Sequence, residues 1–569
     1  MTYDLKIVGG EIVDGTGRER YRGDLGIKDG KVVALGEAPG AAERTIDAGG
    51  CAVAPGFVDI HTHYDAQVLW DPMLTISPWH GVTTVVIGNC GFGVAPTRPE
   101  HRGLILRTLE RVEGMSLAAL EAGLGADWPF VSFPEYMDVL DRRPLGVNVA
   151  VMLGHTPLRL SVMGEDATER AATAAEIAVM KRLAAEAMDA GAVGFATSVS
   201  KVHIGYSGRP VPSRLAGFDE MLEIADAVGR SGHGLIQYNV GRDLRWEEYE
   251  ALVAKSGRPL VWTALLSGAL GPGAHRDQLA RAADQVARGL PIRPQGACRP
   301  ITIEFDFHSP VVFDTWASFA AARSAGDDAA RRAVYADPAF RARVRRQADG
   351  RGPDDEAFMG KEIEGDQRRA AFATYVITES RDPALAERRL ADVARQRGRH
   401  PVDLMLDLAL DDLGTRLRAS QVNFDEDEVR EIIRDPNVVI GLGDGGAHLS
   451  QLCDACYSTY LLGHWVREDG ALSLEQAVHR LTGATASLFG LADRGRLAVG
   501  LPADVVVFDP ATVGASPLER VNDLPAEADR LIAHPRGIRA VLVNGEPLPP
   551  PGQAPRRTSG RLLRQRRAA

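Results

Sequence analysis

The chain has 569 residues, a net charge of -11, 45% apolar and 25% charged residues, and five cysteines. That length holds one large α/β domain of roughly 250 residues or more plus smaller partners, while the acidic balance excludes a general nucleic-acid binder, which needs clustered positive charge against phosphates. So few cysteines make no disulfide framework and point to a reducing, cytoplasmic setting. No apolar run approaches the roughly 18 residues of a membrane span. The opening MTYDLKIVGGEIVDGTG carries charges and glycines where a signal peptide needs an unbroken apolar core.

The chain begins with LKIVGGEIVDG, LGIKDGKVVALG and RTIDA, short strands punctuated by Gly-Gly and Asp-Gly turns. GRLAVGLPADVVVFDP and IRAVLVNGEPL near the other end have the same texture. Neither half carries enough apolar surface to stand alone. Residues 1–55 and 487–548 are therefore expected to pair as one small β-sandwich, with residues 56–486 inserted between them.

The inserted region alternates apolar strands with helical segments, the pattern of parallel βαβ units. Expected strands are GFVDIH (56–61), TTVVIG (83–88), GVNVAVML (146–153), AVGFAT (192–197), GLIQYN (234–239), PLVWTALL (259–266), PIRPQGA (291–297) and NVVIGLG (437–443). Eight such strands close an α/β barrel of the TIM type. Between the third and fourth, TAAEIAVMKRLAAEAMDAG repeats apolar residues at helical spacing and places Gly191 to cap it. Residues 298–436 interrupt the repeat with charged, helical sequence and read as a lid or peripheral subdomain, because barrel sites are built from strand-end loops. The proline- and arginine-rich tail 549–569 reads as a disordered, solvated extension.

Chemistry in such a barrel sits where strands end. The first strand runs into GFVDIHTHYDAQ, and residues two apart on a strand share a face, so His61 and His63 aim at one point. The second ends in GNCGFG with Cys90, the third in GHTPLR with His155 and Arg159, and the eighth in GDGGAH with Asp444 and His448. The fourth leads into a polar loop with Lys201, His203, Tyr206 and Arg209. Two imidazoles, a thiolate and a carboxylate suit a borderline divalent metal such as zinc. Such an ion lowers the pKa of water to about 7, and a carboxylate like Asp444 can carry the proton to a leaving group.

Taken together, GFVDIHTHYDAQ, GNCGFGVAP, GHTPLRLSVMG and the final ADVVVFDP resemble the amidohydrolase superfamily, and within it the N-acyl-D-amino-acid deacylase (D-aminoacylase) group. The resemblance covers nearly the whole chain and is strongest over residues 50–165 and 437–510. It implies a metal-dependent barrel with a flanking β-sandwich that hydrolyses a small-molecule amide. It also implies that His61, His63 and Asp444 bind metal and that Cys90 takes the bridging place. Members of that group hold their tight metal with the cysteine and two histidines ending strands five and six. Here those strands end in LIQYNVG and VWTALLSG, without histidine, and the group's substrate-contacting lysine and arginine have no match.

One ion rather than two is therefore expected, either on His61, His63 and Asp444 or with a further histidine, His203, filling the gap. His203 reads equally as a proton shuttle or a plain loop residue. Arg159, Lys201, Arg209 and Arg299 are candidate carboxylate clamps, and His448 either contacts substrate or caps a helix. His155 reads as a supporting residue and CDAC (453–456) as a buried structural pair. Asp65 reads as support for the histidine turn or as a helix cap. Alternatives that keep the site are a cyclic amide or imide as substrate or a deaminase-like reaction. An alternative that does not is a silent binding relative. A homo-oligomer is compatible with all of them.

Overall fold

The computed structural model describes residues 2–125, 127–241, 243–313, 316–350, 365–553 and 557–566. All eight apolar runs become strands of one parallel sheet: Phe57–Asp59, Val82–Ile87, Asn148–Gly154, Gly194–Ser198, Leu235–Asn239, Leu260–Leu265, Ile292–Gly296 and Val439–Ile440. They pair in chain order. Nearly every residue in them is buried, which is why they read as unbroken apolar runs rather than alternating ones.

The curl closes where the first strand meets the eighth. Asp444 N–H donates to the His61 carbonyl at 2.9 Å and His63 N–H to the Gly445 carbonyl at 2.7 Å. The first strand is shorter than the expected 56–61, so both histidines lie beyond its paired part, on this seam. Helices alternate with strands around the outside. Ala174–Asp189 opens on a Thr173–Glu176 capping box. It ends at Gly191, whose φ of 100° is the left-handed turn expected there.

The two chain ends combine in one mixed sheet. Strand Ala52–Pro55 pairs antiparallel with Val505–Phe508, which pairs with Ile538–Val543. Tyr3–Ile12, Tyr21–Lys28 and Lys31–Gly36 extend it, the last two joined by an Asp29-Gly30 turn with φ of 50° and 74° at its two residues. Leu5, Ile7, Leu25, Val53, Val505 and Leu542 share its buried core.

Two boundaries differ from expectation. The region 298–436 is not a helical excursion throughout. Ile301–Phe305, Val376–Glu379, Arg388–Arg389 and Arg416–Val422 form a four-stranded sheet over a separate core that includes Phe305, Phe313, Phe319 and Leu417. Its closing helix, Glu426–Arg434, buries Val429, Ile432 and Ile433 against the barrel and belongs to the outer ring. The charged stretch 351–364 lies outside the described residues.

The tail departs further, because residues 557–566 are ordered under the barrel. Val149 N–H donates to the Arg561 carbonyl at 2.9 Å, Leu563 N–H to the Val149 carbonyl at 2.7 Å, and Gln565 N–H to the Gly191 carbonyl at 3.0 Å. Backbone groups at the start of the third strand need partners, and the tail supplies them, with Leu562 buried and Arg564 paired to Asp138 at 2.6 Å. The tail positions 554–556 and 567–569 are outside the described residues. Among the described residues no helix is long and apolar enough to cross a membrane.

Candidate metal centre

The barrel seam puts the first-strand histidines against the eighth-strand aspartate. Their rings lie 5.3 Å apart, centroid to centroid. His61 Nε2 is 3.4 Å, and His63 Nε2 3.8 Å, from Asp444 Oδ1. From the second strand end, Cys90 Sγ stands 3.4 Å from His61 Nε2. Ligand atoms of His61, His63 and Cys90 all fall within 4.8 Å of one another. Asp444 closes the remaining side.

The local backbone is bent to make this possible. Cys90 and Asp444 sit at φ of 53° and 41°, in the left-handed region. Gly443, just before Asp444, has no room for a side chain, since a Cβ there would meet Asp59 Oδ2 at 2.1 Å.

Residues behind the donors hold them in place. His61 Nδ1–H donates to Gln295 Oε1 at 2.9 Å, which leaves Nε2 as the lone pair facing the centre. Gln295 Oε1 also accepts from the Thr263 hydroxyl at 2.8 Å, Thr263 Oγ1 accepts from Gln237 Nε2 at 2.9 Å, and Gln237 Oε1 accepts from Cys90 N–H at 3.0 Å. One hydrogen-bonded rail thus runs from His61 to Cys90 across strands seven, six and five. Asn239, ending strand five, donates to Cys90 Sγ at 3.0 Å. On the other side His63 Nδ1 meets Glu113 Oε1 at 3.1 Å, both side chains buried.

Sequence reasoning missed Gln237, Thr263, Gln295, Asn239 and Glu113. The first three were detectable as polar residues interrupting apolar strands. Glu113 carried no signal of its own.

The electrostatics of the group call for a cation. Burial disfavours charge on both rings, yet Cys90 and Asp444 raise the pKa of His61, and Glu113 and Cys90 raise that of His63 well above the usual value. Burial works against the Cys90 thiolate too, but the facing imidazoles, His61 foremost, bring its pKa down to about 7. A group that draws protons onto its nitrogens in this way offers the same sites to a divalent ion. The donor set fits a zinc-type metal.

Other expected residues are placed differently. His203 is not in the metal-donor cluster. Its Nδ1 is 2.7 Å from the Ser198 hydroxyl, and its ring packs on Phe92 at 5.1 Å beside the centre. Burial first, then His448, His63 and His61, push its pKa down to about 3, so it is neutral. His448 (φ 50°) lies close enough to contribute to that shift, and its carbonyl accepts from Gln451 N–H at 2.7 Å.

Arg159 is no clamp. It is fully buried and bonded to Glu220, which also accepts from His155 Nε2 at 2.7 Å. His155 has the supporting role expected of it. Lys201 is exposed and paired with Asp243 at 3.3 Å, Arg209 is partly buried and paired with Glu169 at 2.7 Å, and Arg299 is turned to Asp454 and Cys456. Cys453 and Cys456 are buried free thiols.

Comparison with known proteins identifies the family and the fold. The model of the Amidohydrolase family matches residues 44–549. D-aminoacylase of Alcaligenes xylosoxydans xylosoxydans is 30% identical over 551 residues, which cover 96% of this chain and 94% of that protein. N-acyl-D-glutamate deacylase of the same organism is 31% identical over 579 residues, covering 99% and 96%.

Among solved structures, a D-aminoacylase described with a binuclear metal centre aligns with a TM-score of 0.65 at 26% identity, covering 99% of this chain and 100% of that one. N-acyl-D-glutamate deacylase from Bordetella bronchiseptica, complexed with zinc and a phosphonate inhibitor, aligns with a TM-score of 0.63 at 28% identity and the same coverage. The chain belongs to the amidohydrolase family.

Proposed function

We propose that this metal-dependent hydrolase cleaves the linear amide bond of an N-acylated amino acid, with one zinc ion held by His61, His63, Cys90 and Asp444. The observation that carries this reading is that ligand atoms of His61, His63 and Cys90 lie within 4.8 Å of one another at the barrel seam while Asp444 Oδ1 stands 3.4 and 3.8 Å from the two imidazole Nε2 atoms. The substrate class follows the relatives' names, D-aminoacylase and N-acyl-D-glutamate deacylase. A single ion is favoured because strands five and six end in Asn239 and Leu265, and Asn239 already occupies one flank of the Cys90 sulfur.

A divalent ion bound there supplies Lewis acidity, polarising the scissile carbonyl and acidifying water. Gln295 and Glu113 keep the two imidazoles turned inward. The Asn239 amide stabilises negative charge on Cys90. Asp444 is the donor with solvent access, its side chain 17% exposed against 1% and 6% for the two histidines. Its carboxylate takes a proton from the attacking water and delivers it to the amide nitrogen as the C–N bond breaks. The water oxygen stays on the acyl carbon, and a carboxylic acid and a free amine leave.

Asp444→Ala should lower kcat by about a thousandfold on a panel of N-acyl-D-amino acids with the circular-dichroism spectrum intact. Activity within about tenfold of the parent would remove Asp444 from proton transfer. Elemental analysis of protein made with zinc supplied should find about one zinc per chain. Two would refute the single site, and less than about one-tenth would favour a silent relative.

A further inference from the structure

The cations singled out on the strand-end face are all satisfied by acidic partners. Arg214, which was not singled out, is different. It lies in the turn Pro212–Leu215 after the fourth barrel strand. The turn is pinned to the strand end by Ser213, whose hydroxyl donates to the Ser198 carbonyl at 2.8 Å. Arg214 Nη1 donates to the His203 carbonyl at 3.1 Å. No Asp or Glu among the described residues pairs with this half-buried guanidinium, and burial alone lowers its pKa.

A half-buried guanidinium with no carboxylate partner keeps donors free for an anion that arrives from outside. The guanidinium also stands near the chemistry. The His203 ring is close enough to feel Arg214, packs on Phe92 at 5.1 Å, and Phe92 in turn lies 6.3 Å from the His63 ring.

We propose that Arg214 binds the carboxylate of the substrate and so sets the acyl-amide bond against His61, His63 and Asp444. This rests on the reading above that the substrate is an N-acylated amino acid, and assigns the recognition of its acid group to one residue. The planar fork of a guanidinium pairs two-pronged with a carboxylate, which a lysine at this place would not reproduce.

The test is calorimetric binding to the zinc-loaded protein of two probes, N-acetyl-D-alanine and its uncharged carboxamide. Hydrolysis of both is followed in parallel. The parent should bind the acid on the order of 10- to 100-fold more tightly than the carboxamide. Arg214→Gln should lose that preference through weaker acid binding alone, and Arg214→Lys should recover only part of it. Arg230→Gln, at an exposed position near the end of the helix Phe218–Ser231, should retain it. Zinc content and the thermal midpoint guard against misfolding.

If the parent shows no preference for the acid, or Arg214→Gln keeps it, or both probes weaken equally, the assignment is overturned. A parent that prefers the acid but cleaves neither probe would leave Arg214 in place and refute the hydrolytic reading instead.

Discussion

Glu113 ends the helix Arg102–Glu113, just before Gly114 turns left-handed at φ 61°. A carboxylate at a helix C terminus faces the negative end of the helix dipole. Its place is justified by His63, whose Nδ1 it meets inside the protein. Glu113→Gln should therefore weaken zinc binding by about 10- to 100-fold while leaving the fold intact, as read by competition with a chromogenic chelator. Unchanged affinity would reduce Glu113 to a packing group. His61, His63, Cys90 and Asp444 were legible because their motifs end barrel strands. Glu113 was not, because only the docking of its helix brings it to His63, 50 residues away in sequence. Arg214 was missed for a related reason, since what distinguishes it is that no acidic partner among the described residues reaches it in space.

Between elements, the buried set Glu220, Arg159 and His155 joins the helix Phe218–Ser231 to the helix His155–Met163. Burial opposes the Glu220 charge, but His155 and Arg159 hold its pKa below the ordinary value. Glu220→Ala strands the Arg159 charge and should cost about 3–5 kcal/mol in urea unfolding. Arg159→Met with Glu220→Leu should cost less, since no lone charge remains. A loss no larger for the single variant than for the double would refute this account.

Arg159 resembled a clamp because it follows a strand end, and nothing local reveals that Glu220 reaches it from 61 residues away. The barrel strands were legible because burial on both faces demands continuous apolar runs. The sheet inside 298–436 was hidden because Ile301–Phe305 pairs with Arg416–Val422, far along the chain. The tail misled because its arginines suggested solvent, whereas Arg564 caps the end of a helix at the Ala190 carbonyl, 2.9 Å away.

On the scale of the whole molecule, His80 lies where the barrel meets the segment after Arg530. Its Nε2–H donates to the Ala533 carbonyl at 2.9 Å, and its Nδ1 is 2.7 Å from the Thr459 hydroxyl. Burial, helped by nearby Arg299 and His534, pushes its pKa down to about 4 from 6.5. An unfolded chain binds this proton at higher pH than the folded one. The contribution is thus full above about pH 6.5, and it is lost progressively as pH falls toward about 4. Between about pH 7 and pH 5 that amounts to about 2 kcal/mol. Urea midpoints of the parent should fall over this interval by more than those of His80→Gln. Parallel curves would show that His80 is not the titrating group.

The strand Ala52–Pro55 and its partner Val505–Phe508 come from segments roughly 450 residues apart, whose meeting in an unfolded chain costs about 5 kcal/mol of loop entropy. A finished barrel lowers that penalty, because Ala52–Pro55 runs straight into the first barrel strand, which the closure at His61 and Asp444 holds against the eighth. Pairing of the two strands is therefore less costly once the barrel has closed. Once zipped, the sheet works as a clasp. A peptide bond cut anywhere between the two strands leaves fragments that each contribute a strand to the same ladder, so the severed molecule stays one particle.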